Sequence, residues 1–139
     1  MIILKHFSQL TLVELYQILK LREMVFILEQ LILAEAEIDD ADYDANHYFI
    51  KDNEEIVAYM RLIRTNEGFK LGRICTKVGY RQQGLATQMI KLIQSQFPSV
   101  IISAQYQAKK FYEKLGFKPM SKKYKEAGID HLKMVYIRG

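Results

Sequence analysis

"YRQQGLATQMI" (Tyr80–Ile90) opens polar and closes apolar. Leu85, Met89, Leu92, Ile93 and Phe97 recur at helical spacing, which puts them on one face of a helix over about 84–97 that Pro98 stops. The polar turn Arg81-Gln82-Gln83-Gly84 therefore stands at a helix N-terminus. There the first backbone N–H groups lack partners and the helix dipole favours negative charge. Gly84 allows close backbone approach, and successive N–H groups can form a nest for oxygen anions. An anionic group is expected at this turn. The spacing is neither G-x-x-x-x-G-K-[ST] nor G-x-G-x-x-G, which argues against a nucleoside-triphosphate P-loop and a dinucleotide fingerprint.

The flanks of this helix read as strands. "FKLGRICTKV" (69–78) precedes it, with Gly72 as a bulge or close-approach position, and the continuous apolar run "SVIISA" (99–104) follows. A strand–helix–strand passage requires a parallel pairing inside a mixed sheet. Upstream, "IIL" (2–4) reads as an edge strand, and Thr11 with Glu14 forms a capping box ahead of a helix over about 12–29. "HYFIKD" (47–52) and "EIVAYMRLIRT" (55–65) make a hairpin about Asn53. Downstream, a short helix over about 106–115 ends at Gly116, and two strands near 117–124 and 130–138 are joined by "EAGID". The expected order is β-α-β-β-β-α-β-α-β-β.

The chain of 139 residues suits one domain with a proper core, so residues 1–139 are expected to form a single domain. Half the residues are hydrophobic and 12% aromatic, against disorder. A net charge of +4 and a pI of about 9.1, without a basic tail, do not point to nucleic acid. The single cysteine, Cys75, allows no intrachain disulfide and no cysteine-based metal site, in keeping with a reducing cytoplasm. The most apolar tract, "MVFILEQLILA" (24–34), is broken by Glu29 and Gln30 and is too short to span a membrane; the N-terminus lacks a basic start and a small-residue cleavage site. A cytoplasmic location without membrane or nucleic-acid partners is expected.

The second motif is "AKKFYEKLGF" (108–117). Taken with R-x-x-G-x-A at 81–86, in this order and at this separation, it resembles the GNAT family of acetyl-CoA-dependent N-acetyltransferases. "LREMVFILEQ" (21–30) and "GIDHLKM" (128–134) resemble its ElaA-like branch. The segment "LILAEAEIDDADYDANH" (31–47) departs from that branch in the region of the substrate pocket.

The resemblance implies an α/β single-domain GNAT fold, a mixed twisted sheet with splayed central parallel strands flanked by helices. It implies that acetyl-CoA lays its pantetheine arm between the strands at 70–77 and 99–104, against backbone groups of Ile74, Cys75 and Thr76. The diphosphate would rest on the N–H groups of Arg81, Gln82, Gln83, Gly84, Leu85 and Ala86. Gln105 stands where the family often has Asn and would bond the pantetheine arm, and Lys109 or Lys110 would meet the 3′-phosphate. Tyr112 matches the family's usual general acid, which gives a proton to the departing thiolate or hydrogen-bonds its developing charge.

The acceptor amine must lose a proton before attack, and the residues leave its base open between Glu29, His47, His131 and bulk water. Glu29 also fits a helix-end ion pair, with Arg22 in reach. A thiol beside a thioester could accept the acetyl group, but a strand cysteine such as Cys75 is ordinarily a small buried hydrophobe. Glu35, Glu37, Asp39, Asp40, Asp42 and Asp44 crowd one loop. Its D-x-D-x-D start has Ala45 and Lys51 where a calcium loop needs Gly and Glu, which excludes an EF-hand. A solvated loop is the default, and a funnel for cationic substrates the functional alternative.

The expected activity is acetyl transfer from acetyl-CoA to a primary amine, on a small molecule or a peptide, by direct attack in a ternary complex. The alternatives are a catalytically silent CoA-binding sensor or interaction module on the same fold, and a different acyl-CoA donor. Exposed strand edges near the C-terminus are compatible with a homodimer.

Overall fold

A computed structural model describes all 139 residues. Eight strands form one mixed sheet: β1 (Ile2–His6), β2 (Asn46–Asp52), β3 (Glu55–Thr65), β4 (Gly68–Thr76), β5 (Ser99–Gln105), β6 (Lys118–Pro119), β7 (Tyr124–Glu126) and β8 (Ile129–Ile137). Their order is β1-β2-β3-β4-β5-β8-β6, with β7 paired to β8. Only β4 and β5 run parallel, linked by the crossover helix α2 (Leu85–Gln96).

The hairpin and crossover strands fall close to their expected spans. Three segments differ. Helix α1 is α-helical over Leu12–Arg22 and then widens into a π-helix over Glu23–Glu29. Apolar periodicity does not separate the two forms where nearly every side chain is apolar, as in "MVFIL". The second short helix begins as a 3₁₀ turn and becomes α3 only over Lys109–Lys114. The strand expected over 117–124 survives as the two-residue β6; β7 instead makes a tight hairpin with β8, turning on Ala127 and Gly128, both at positive φ.

The start of α1 is closed as the sequence indicates. Thr11 Oγ1 accepts from Glu14 N at 3.0 Å, and Glu14 Oε1 accepts from Thr11 N at 2.9 Å. The sheet buries both faces. Against α2 and α3 lie Leu71, Ile102, Ala104, Leu132 and Met134 with Met89, Ile90 and Ile93; against α1 lie Phe49, Ile56, Tyr59 and Cys75 with Ile18 and Leu21.

Leu71 and Cys75 are four residues apart, yet they enter cores on opposite faces. A regular strand would send them to the same face. The register explains the switch: Arg61 faces Gly72 and Tyr59 faces Cys75, so Arg73 and Ile74 together oppose Met60. The bulge is at Arg73, held at φ 51°, rather than at Gly72, whose φ is not positive.

Candidate active site

β4 and β5 pair only at Lys70↔Ile101 and Leu71↔Ile102, and beyond those two pairs the strands part. Lys77 N donates to Val57 O on β3 at 2.8 Å. By strand alternation Cys75 also turns its backbone toward β3, while Ile74 and Thr76 turn theirs toward the gap. A cavity of about 330 Å³ opens there, lined by Gly72 and Ile74 from β4, Ser103 and Gln105 from β5, Tyr112 from α3, and the helix end at Phe26 and Gln30.

At one end of the gap lies the turn that leads into α2. It is shaped by positive φ at Gly79, Gln82 and Gly84; Gly84, at φ 77°, is the N-cap. Tyr80 N closes back on Lys77 O, but the backbone N–H groups of Arg81, Gln82, Gln83 and Gly84 donate to nothing in the protein. Those of the first turn of α2, including Leu85 and Ala86, have no acceptor earlier in the helix either. The space beside Gly84 is open, since a Cβ built there has no neighbour within 4 Å. The chemistry of this donor set fits a diphosphate.

The Arg81 side chain has another task. Its guanidinium grips Glu29 with bonds of 2.7 and 2.6 Å and donates through Nε to Thr76 O at 2.9 Å. This fixes the turn to the end of the π-helix. Glu29 is therefore no free base: the Arg81 hydrogen bonds hold its carboxyl below the usual carboxylate range. Its partner is Arg81 and not Arg22. The next residue, Gln30, accepts from Gln105 Nε2 at 3.0 Å and so ties the helix end to β5 across the cleft.

Tyr112 is 8% exposed and packs edge-on against Phe111 and Phe117. Its hydroxyl lies on the cleft. Burial pushes its pKa up to about 12, so the phenol stays protonated across the working pH range. A thiol ionises near pKa ~8.5, so a phenol at this value stabilises a developing thiolate by hydrogen bonding more readily than by outright proton transfer.

The acidic loop is divided: Glu35, Asp40 and Asp44 are exposed, whereas Glu37, Asp39 and Asp42 form a strap that turns its charges inward. Arg22, wholly buried, donates to Glu37 at 2.7 Å and to Asp42 at 2.8 Å. Arg61 holds Asp39 at 2.6 and 2.8 Å and Asp42 at 2.9 Å, and Arg73 holds Glu37 at 2.9 Å. Three guanidiniums thus balance these three carboxylates, while Glu35, Asp40 and Asp44 face solvent without an ion-pair partner. The bulge serves this network, because it sends the Arg73 side chain under the strap. Sequence reasoning missed these arginines; the only signal was the presence of Arg61 and Arg73 inside otherwise apolar strands opposite a run of acids.

His47 belongs to the same network. Its Nε2 donates to Asp42 O at 2.9 Å and its Nδ1 accepts from Tyr59 Oη at 2.6 Å. Burial pushes its pKa down, and with both nitrogens engaged and 1% exposure it is not an accessible base. Cys75 is buried in the α1 core and its thiol pKa is pushed far up by burial, which removes it as a nucleophile. Of the base candidates only His131 lines the cleft, together with Ser103 and Glu126. Glu126 carried no sequence signal, because its place depends on the β7–β8 hairpin.

Residues 21–138 match the acetyltransferase (GNAT) domain. The chain belongs to this family, whose members use acyl-CoA and act on amine acceptors. It is 36% identical to the uncharacterized N-acetyltransferase YjcF of Bacillus subtilis, over 82% of this chain and 86% of that one. It is 30% identical to the protein ElaA of Escherichia coli, over 93% and 91%, and the crystal structure of that ElaA superposes with a TM-score of 0.87 over 98% and 99% of the two chains. An acyl-CoA N-acyltransferase from Pseudomonas aeruginosa, 30% identical, superposes with a TM-score of 0.89 over 98% of each chain. The single-domain GNAT fold and the ElaA-like relationship are thereby shown. No helix is long and apolar enough to cross a membrane.

Proposed function

We propose that this chain, acting as one acetyltransferase domain over residues 1–139, transfers the acetyl group of acetyl-CoA to a primary amine by direct attack in a ternary complex. Two unsatisfied features of neighbouring chain segments support the reading. A run of backbone donors at 81–84 lacks acceptors, and β4, which leads into that turn, parts from β5 at a cavity that Tyr112 lines.

In this reading the N–H groups from Arg81 to Ala86 hold the diphosphate. Ile74 and Thr76 offer backbone groups to the pantetheine arm, Cys75 keeps the strand seated on β3, and Gln105 bonds the arm after leaving Gln30. Tyr112 hydrogen-bonds the departing thiolate, and a backbone N–H at the bulged strand polarises the thioester carbonyl. Much of the rate comes from holding amine and thioester together.

Calorimetric titration of acetyl-CoA into the wild type and into Gly84→Glu tests the reading. The substitution places a carboxylate among the bare donors. Binding to the wild type and its loss in a still-folded variant is the expected result. Equal binding by both proteins moves the cofactor elsewhere, and no heat from the wild type at millimolar acetyl-CoA removes the activity.

A further inference from the structure

The β7–β8 hairpin brings a second group of polar atoms to the cleft. Ser103, Glu126 and His131 line it, and the Tyr124 ring stacks on His131 with centroids 6.2 Å apart. The partners decide where the hydrogens sit. Ile129 O can only accept, so His131 Nδ1, 2.8 Å away, carries the hydrogen and the Nε2 of the neutral ring is a bare acceptor. Ser103 Oγ donates to Glu126 Oε1 at 3.2 Å, so the hydroxyl of Tyr124 must donate to Ser103. Glu126 Oε2 is left facing His131 Nε2 at 3.5 Å.

Two acceptors thus face each other across a gap too long for an ordinary hydrogen bond. Nearby charges are already matched. Lys123 and Lys125 lie against Asp130, and Lys133 against Glu67. No lysine or arginine pairs with Glu126, whose one such contact is with the His131 ring.

We infer that Glu126 Oε2 and His131 Nε2 receive the ammonium group of the primary-amine acceptor, presented end-on as a cation, and that His131 takes its proton. This rests on the amine-acetylation reading above. The ammonium donates one N–H to each acceptor. The N–H bond toward Nε2 then breaks. Its electron pair stays on nitrogen as the attacking lone pair, and the proton forms the new Nε2–H bond. The resulting imidazolium is held at both ends, by Ile129 O and by Glu126. One positive charge stays beside one carboxylate throughout, so the transfer separates no charge inside the cleft. The groups that face the ring are Tyr124 and Glu126 from β7 and Ser103 from β5, with Gln105 opposite in the sheet register.

The test follows the His131 ring nitrogens by NMR while n-butylammonium chloride, tetramethylammonium chloride or n-butanol is added. The expected result is a saturable change at Nε2 with butylammonium only, because tetramethylammonium has the charge without N–H donors and butanol lacks the charge. Glu126→Gln keeps the shape and removes the charge, and should weaken butylammonium binding at least tenfold. Equal responses to tetramethylammonium and butylammonium, or undiminished binding in Glu126→Gln, overturn the inference. Butylammonium bound at His131 in a protein that ignores acetyl-CoA keeps this site and removes the transfer reaction. Acetyl transfer whose acceptor KM is unmoved by Glu126→Gln keeps the reaction and removes this site.

Discussion

Along the turn from Arg81 to Gly84 the backbone donors go without acceptors, whereas along the strap from Glu37 to Asp42 the buried charges have met their opposites. The strap lines the cleft through Glu37, the turn follows the strand that walls it, and both are rich in polar atoms. What separates them is saturation. Polar groups that satisfy one another hold structure, and polar groups left bare beside a cavity await a ligand. Residue type alone does not tell the two apart, since the strap, with its run of acids, looked at least as functional as the turn.

The sharpest way to break this contrast is to unbalance the strap. Arg22→Met removes a wholly buried guanidinium and leaves Glu37 and Asp42 short of a partner. The expected loss is about 3–5 kcal/mol of unfolding free energy in urea. A loss below about 1 kcal/mol would mean that the network is incidental. On the other side of the cleft, Tyr112→Phe deletes one hydroxyl that the protein does not use internally. Turnover should fall about 10²-fold while acetyl-CoA affinity, read by calorimetry, stays put. An unchanged rate takes Tyr112 out of the chemistry.

Acid titration sharpens the contrast further. His47 has a folded pKa below its ordinary 6.5, chiefly through burial, so its contribution is intact above that value and is lost as the pH falls through the folded value. Glu14 follows at lower pH. Burial pushes its pKa up, but the Thr11 N–H and the ammoniums of Lys5 and Lys51 outweigh this and bring it to about 2. Its share is complete above about 4.5 and is lost as the pH falls toward 2. Stability measured against pH should thus decline in two stages, and His47→Gln should remove the first. A single decline confined to the carboxylate range would show that burial does not hold His47 neutral.

The smallest effect lies at the bulge, where Arg73 combines ion pairs with a left-handed backbone. Arg73→Ala loses the pairs and keeps the strain, whereas Arg73→Gly loses the pairs and relieves it. The glycine variant should be the more stable of the two by about 1 kcal/mol. Equal stabilities would mean that the backbone relaxes without the side chain.

Much of this molecule is legible in local patterns. The capping box at Thr11, the apolar runs of β2 and β3 either side of Asn53, the helical face of α2 and the turn before it all depend on neighbours within a few positions. The strap is different. Arg22, Glu37, Asp39, Asp42, Arg61 and Arg73 come from four separate segments, and their pairing is set by how those segments stack. Glu29 lost its candidacy as a base for the same reason, because its partner lies 52 positions away. Glu126 stayed hidden because a continuous strand was expected through 117–124, whereas β7 pairs with β8 only from Tyr124 onward.

The bulge at Arg73 makes the inside and outside of β4 a matter of parity. Up to Leu71 one alternation governs which side chains enter the α2 core, and after Ile74 the opposite one does. Deleting Arg73 would leave Ile74 opposite Met60 and Cys75 still opposite Tyr59, whereas keeping every residue and straightening the bulge would turn the far end of the strand inside out. The Cys75 thiol would leave the α1 core, and the backbone groups now aimed into the cleft by Ile74 and Thr76 would turn to β3. For this strand the left-handed turn of the backbone at one residue decides which core each later side chain enters.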